Sequence, residues 1–112
     1  MTAQEQPAYL IATLELSDPD MFMRDYSKPV FPTITEAGGE VLIATPIVDV
    51  LEGSYKASWT AVLKFPSMEA LKTWYSSDRY QALIPIRQSL SSPDSSILIA
   101  ATGFAGLSTQ AE

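Results

Sequence analysis

At 112 residues with 46% apolar side chains, the chain is long enough for one domain with its own core and too apolar for a disordered segment. Thirteen acidic against seven basic residues give a net charge of −6, and no basic run occurs, so no nucleic-acid partner is expected. The absence of both Cys and His excludes disulfides, thiolate nucleophiles, Cys-ligated metals and a Ser-His-Asp triad, leaving acid–base chemistry to Asp, Glu, Tyr, Lys or Arg with shifted pKa values, or to the substrate's own groups.

Residues 1–7 lack the basic and apolar regions of a signal peptide and read as a loose arm. No apolar run reaches the roughly 18 residues of a membrane span, so no membrane partner is expected and a cytoplasmic protein is the default reading. Residues 8–16 alternate: Leu10, Ala12, Leu14 and Leu16 share one face and Tyr9, Ile11, Thr13 and Glu15 the other, which predicts a strand. Asp18-Pro19 then reads as an N-cap followed by proline at the first helical position. Asp18 and Asp20 could be taken for a cation site, but the further spaced oxygens of such a loop are missing, and capping is the stronger reading. The helix runs through Tyr26. Pro29 and Pro32 predict a break or kink near Ser27-Lys28, a second helical piece covers residues 31–37, and Gly38-Gly39 ends it.

Residues 40–50 alternate again, with Pro46 marking an edge strand or a bulge. Residues 51–56 form a turn, and residues 57–65 form a third strand with Trp59, Ala61, Leu63 and Phe65 on one face. Ser67 is the expected cap of a helix carrying Met68, Leu71, Trp74 and Tyr75. Residues 76–78 interrupt it, with Asp78 as the new cap of a Pro85-bent segment to Leu90, and residues 97–102 form the last strand. Residues 104–112 read as a second flexible tail. The domain is therefore residues 8–103, and its order is βαββαβ. That is the α+β, ferredoxin-like arrangement: a four-stranded antiparallel sheet with the first and third strands central and the helices on one face.

Helices on one face leave the other face of the sheet bare, with Ile11, Val62 and apolar residues of both edge strands. A patch of that kind is uncommon on a monomer, and a two-fold homodimer is the expected remedy, a lone monomer with a ligand or terminal arm over the face being the alternative.

Tyr9-Leu10-Ile11-Ala12, Asp18-Pro19, Gly38-Gly39-Glu40, Leu51-Glu52-Gly53, Phe65-Pro66-Ser67 and Trp74-Tyr75-Ser76, followed by Tyr80 and Arg87, together resemble the DUF1330 family over about residues 8–103. That is a family of unknown function within the dimeric α/β-barrel superfamily. The resemblance implies the same fold, a homodimer with facing sheets, and a cleft between sheet and helices that takes small molecules. Related barrels include cofactor-free monooxygenases, lactone isomerases, polyketide cyclases and plain binding proteins. Glu40 and Trp59 stand where relatives carry basic residues, which implies a neutral, hydrophobic or aromatic ligand.

The cleft candidates are Tyr26, Trp59, Trp74, Tyr75, Tyr80 and Arg87, with Asp18 and Glu52 at junctions. Core packing is the first reading for Trp59, Trp74 and Tyr75, and substrate binding the second. A phenol at Tyr26 or Tyr80 could donate to an oxyanion or satisfy itself on a backbone carbonyl. Arg87 could bind a ligand or form an ion pair with Glu52 or Asp18. The functional expectation is a cofactor-independent isomerase, cyclase or lyase, with Tyr26 or Tyr80 polarising a carbonyl and Glu52 or Asp18 moving a proton. No cofactor or metal is expected. The alternatives are a non-catalytic binding module and a purely structural homodimer.

Overall fold

The computed structural model describes residues 6–104. Of the arms expected at 1–7 and 104–112, only residues 6, 7 and 104 lie within it, and the Pro7 carbonyl accepts from the Gly103 N–H at 2.9 Å.

Four strands form one antiparallel sheet: β1 Ala8–Leu14, β2 Glu40–Thr45, β3 Trp59–Phe65 and β4 Ile97–Thr102, in the order β2-β3-β1-β4. The first and third strands are central, as the alternating pattern and the right-handed crossover rule predict. Ala8, Leu10, Ala12 and Leu14 are buried, and the register sets them beside Phe65, Leu63, Ala61 and Trp59 on the helix-covered face.

The helices are α1 Pro19–Phe22, α2 Lys28–Glu36, α3 Met68–Tyr75, α4 Asp78–Gln81 and α5 Ile84–Leu90. Asp18 caps α1 by accepting from the Met21 N–H at 3.0 Å, and Ser67 caps α3 by accepting from the Ala70 N–H at 3.0 Å. The expected cap at Asp78 is displaced by one residue: Ser77 has the extended backbone a cap needs and its hydroxyl accepts from the Tyr80 N–H, so Asp78 occupies the first turn instead.

At the break or kink expected near Ser27-Lys28 the helix changes type rather than stopping. Residues Met23–Ser27 form a π turn that joins α1 to α2, and the Lys28 N–H reaches back five residues to the Met23 carbonyl. Prolines 29 and 32 cannot donate and crowd the carbonyls four residues earlier. The wider turn relieves that crowding without ending the helix. It also keeps Phe22, Tyr26, Val30 and Ile34 on one buried stripe, since a four-residue step drifts around a regular 3.6-residue helix.

The second strand is shorter than the alternation implied. It ends at Thr45, before Pro46, and residues 46–58 are irregular; the bulge of this edge strand lies between Val41 and Ile43 rather than at the proline. The first strand likewise stops at Leu14, with Leu16 making an isolated bridge to Ser91, and the third starts at Trp59. The two glycines after α2 have different reasons. Gly38 takes φ +86°, the left-handed conformation that closes the helix. At Gly39 a Cβ would meet Ile34 Cγ2 at 2.8 Å and Phe65 Cε2 at 2.9 Å, so only glycine lets the chain pass between α2 and β3.

Across the sheet's other face the register aligns one apolar row, Ile43–Val62–Ile11–Ile99, spanning all four strands. Ile43 is 45% exposed and Ile99 47%. Among the described residues no helix is long and apolar enough to cross a membrane.

Candidate functional site

Between the helix-covered face of the sheet and the helices lies a cavity of about 120 Å³. The strands contribute Leu10, Ala12, Leu14, Trp59, Ala61, Leu63 and Leu98, and the α1–α2 stripe contributes Phe22, Tyr26, Val30 and Ile34. Phe31 and Ala44, both exposed, also line it, which places its mouth between α2 and β2. Polar atoms enter at a few points: Tyr26, Ser27 and Arg87, with the Trp74 indole as a further wall. Among the described residues no Asp, Glu or Lys lines the cavity.

The polar corner is assembled from three helical segments. Tyr26 comes from the π turn, Tyr80 from α4 and Arg87 from α5. The two phenol oxygens lie 2.6 Å apart, and the Tyr80 side chain is fully buried. One hydroxyl donates to the other, so the pair always retains one proton for a further acceptor. The rings continue into an aromatic cluster: Phe22 stacks on Tyr26 at 5.0 Å, Phe22 meets Trp59 edge-on at 5.7 Å, and Trp74 lies 4.2 Å from Tyr80. The Trp74 indole N–H donates to the Thr33 hydroxyl at 2.9 Å, and that hydroxyl donates to the Val30 carbonyl at 2.6 Å, which ties α3 to α2.

Burial pushes the Tyr26 phenol well above its ordinary pKa; Tyr80 adds to the shift and Arg87 opposes it. Tyr26 is thus a neutral donor, not a base. For Arg87, burial works downward, while the phenols of Tyr80 and Tyr26 work upward and prevail, so the guanidinium stays charged. Arg87 is only 8% exposed, and its Nε has no hydrogen-bond partner. The ion pair considered for it with Glu52 or Asp18 does not form. Among the described residues the salt bridges are Arg24–Asp25 and Arg79–Glu36, both on the surface.

The structure therefore brings Tyr26, Tyr80, Arg87, Trp59 and Trp74 together. Tyr75 lies at the outer edge of the cluster, 38% exposed and 5.5 Å from the Tyr80 ring. Asp18 is exposed and occupied as the α1 cap, and Glu52 is exposed in the irregular segment after β2; neither lines the cavity. Sequence reasoning missed Phe22, Val30 and Ile34 as cavity walls. Their four-residue spacing with Tyr26 was visible, but the prolines argued for cutting the helix between them.

The neutral state of Tyr26 has a measurable consequence. A phenol whose pKa is raised on folding contributes stability that is fully present below its unfolded value, near 10, and is lost as pH rises above it. Wild type should therefore lose up to about 1.4 kcal/mol more per pH unit than Tyr26→Phe between about pH 10 and 11.5. Urea unfolding of both proteins over that interval measures it, and parallel declines would rule it out.

The model of the family described as "Domain of unknown function (DUF1330)" matches residues 7–101. No curated protein sequence matches the chain. Among solved structures, the RPA0582 protein of unknown function from Rhodopseudomonas palustris superposes with a TM-score of 0.70 at 18% identity, covering 91% of this chain and 85% of that one. A dimeric ferredoxin-like protein of unknown function from Jannaschia sp. CCS1 gives a TM-score of 0.71 at 16% identity, over 84% of this chain and 96% of that one. SnoaB from Streptomyces nogalater, a cofactor-independent oxygenase, gives 0.65 at 11% identity, over 91% and 97%. At these identities the likeness concerns the fold alone, a ferredoxin-like one. By the match across most of its length, the chain belongs to the DUF1330 family, whose function is unknown.

Proposed function

We propose that this protein binds a small, largely apolar molecule in the cavity and acts on it without a cofactor. One observation carries the reading: a cavity with almost wholly apolar walls has a single buried corner where a neutral phenol and a guanidinium converge. Apolar walls orient a ligand's body, and a few fixed polar groups select its head. In water-poor surroundings, a pre-set donor such as Tyr26 stabilises charge developing on a substrate oxygen, which assists an isomerisation or cyclisation passing through an enolate. With no carboxylate of the described residues in the wall, the proton lost in such a step passes from the substrate to solvent or to another of its own atoms. The same fold supports cofactor-independent chemistry in at least one structural neighbour.

The protein works, on this reading, as a homodimer that packs the Ile43–Val62–Ile11–Ile99 row of each copy against the other. The exposed apolar row and the dimeric state of a structural neighbour support it.

A panel of small carbonyl compounds incubated with wild type in chelator-treated buffer tests the enzymatic form. Tyr26→Phe should slow any turnover by about 10²–10³-fold, the usual effect of losing one oxyanion donor, with little change in ligand affinity. Undiminished turnover would remove Tyr26 from the chemistry. The pushed-up phenol and the absence of a protein base favour a second reading, a module that sequesters its ligand. It predicts saturable thermal stabilisation with no turnover.

A further inference from the structure

We propose that the ligand is a small monocarboxylate whose carboxylate pairs with Arg87, an assignment that rests on the cavity being the binding site and adds the class of molecule it takes. The chain carries thirteen Asp and Glu, yet none lines the cavity and none pairs with Arg87 among the described residues. The missing counter-charge is therefore not a matter of supply. A guanidinium cannot shed its proton, and leaving one buried without an anion costs several kcal/mol. A bound anion removes that cost, so the unfavourable burial becomes affinity for one kind of head group. A neutral ligand of the same shape would cover the charge further and gain nothing.

The geometry selects among anions. Arg87 lines the cavity and its buried Nε has no hydrogen-bond partner, and a planar guanidinium matches the two oxygens of a carboxylate in parallel donation. When Tyr80 donates to Tyr26, the hydroxyl proton of Tyr26, which alone of the pair lines the cavity, is available for the substrate's reacting oxygen. Size limits the rest. An apolar cavity of about 150 Å³ holds benzene in the well-studied engineered case, so about 120 Å³ admits one ring or a short branched chain, not a fused-ring skeleton. Among the described residues the walls offer no second cation, which disfavours a dicarboxylate held wholly inside.

The test is titration of the full chain with benzoate, its neutral isostere benzamide, and the dicarboxylate phthalate. ¹H–¹⁵N spectra that include the arginine Nε–H region report binding at Arg87 itself. Benzoate is expected to bind saturably and move the Arg87 Nε–H resonance, with benzamide and phthalate at least 30-fold weaker. Arg87→Met should abolish benzoate binding while keeping a cooperative unfolding transition, and Arg87→Lys should retain part of it. Benzamide binding as tightly as benzoate, or undiminished benzoate binding by Arg87→Met, would overturn the carboxylate assignment and leave the cavity reading standing. No perturbation of cavity residues by any of the three probes would overturn both. The wild-type Nε–H shift keeps the proposal testable if the methionine variant fails to fold.

Discussion

Arg87→Met is expected to stabilise the protein by about 1–4 kcal/mol, the range seen when whole buried ion pairs give way to apolar side chains of similar volume, since Arg87 has no partner charge for the change to strand. Most single substitutions in a core do the opposite. The expectation follows from the burial of Arg87, the unpartnered Nε and the lack of a carboxylate beside it. Methionine preserves much of the stem that packs among the helices and removes the charge together with the unmet Nε–H. Arg87→Ala would also remove the stem and open a void, so it is the less informative change. Guanidinium unfolding of wild type and variant decides the matter. A loss of 3–5 kcal/mol would mean that Arg87 is already paired in the folded protein and serves the core. A gain would mark it as a group kept at the expense of stability, which is the usual signature of a functional site.

If the proposed homodimer forms through the open face, Val62→Asp should convert it to a monomer, weakening self-association by at least about 100-fold, because an unpaired carboxylate in an apolar interface costs several kcal/mol and each 1.4 kcal/mol is tenfold. Val62 stands in the centre of the open face, in register with Ile43 on one side and Ile11 on the other. Its side chain faces away from the cavity, so the monomer should stay folded. Light scattering coupled to size exclusion should show wild type at about twice the 12.2 kDa chain mass and the variant at that mass. A wild type that runs as a monomer at high micromolar concentration would refute the homodimer, and a variant that stays dimeric would place the interface elsewhere.

Much of the fold was legible in the chain because it rests on short-range rules. Alternation over Ala8–Leu14 and Trp59–Phe65 follows from the two-residue repeat of a strand. The caps at Asp18 and Ser67 follow from the need of a helix start for a side-chain acceptor. Ser77 rather than Asp78 caps α4 because two adjacent residues both had the chemistry and only the backbone path separated them. The aromatic and cationic members of the polar corner could be picked out by type. Their grouping could not: Tyr26 and Tyr80 meet across 54 positions of sequence, and Asp18 and Glu52 looked equally suited to the cleft.

What the sequence determined by itself is the element order, the class of fold and the face each strand turns inward, since these depend on period, capping and backbone stereochemistry within a few residues. Three further features were decided only by the tertiary structure. The π turn bridges the prolines because packing of Phe22, Tyr26, Val30 and Ile34 against one core outweighs the local tendency to break. The cavity exists because the sheet and helices do not fully interdigitate. Among the described residues no carboxylate pairs with Arg87 or lines the cavity beside it, and the distance between charges is a property of the folded molecule alone.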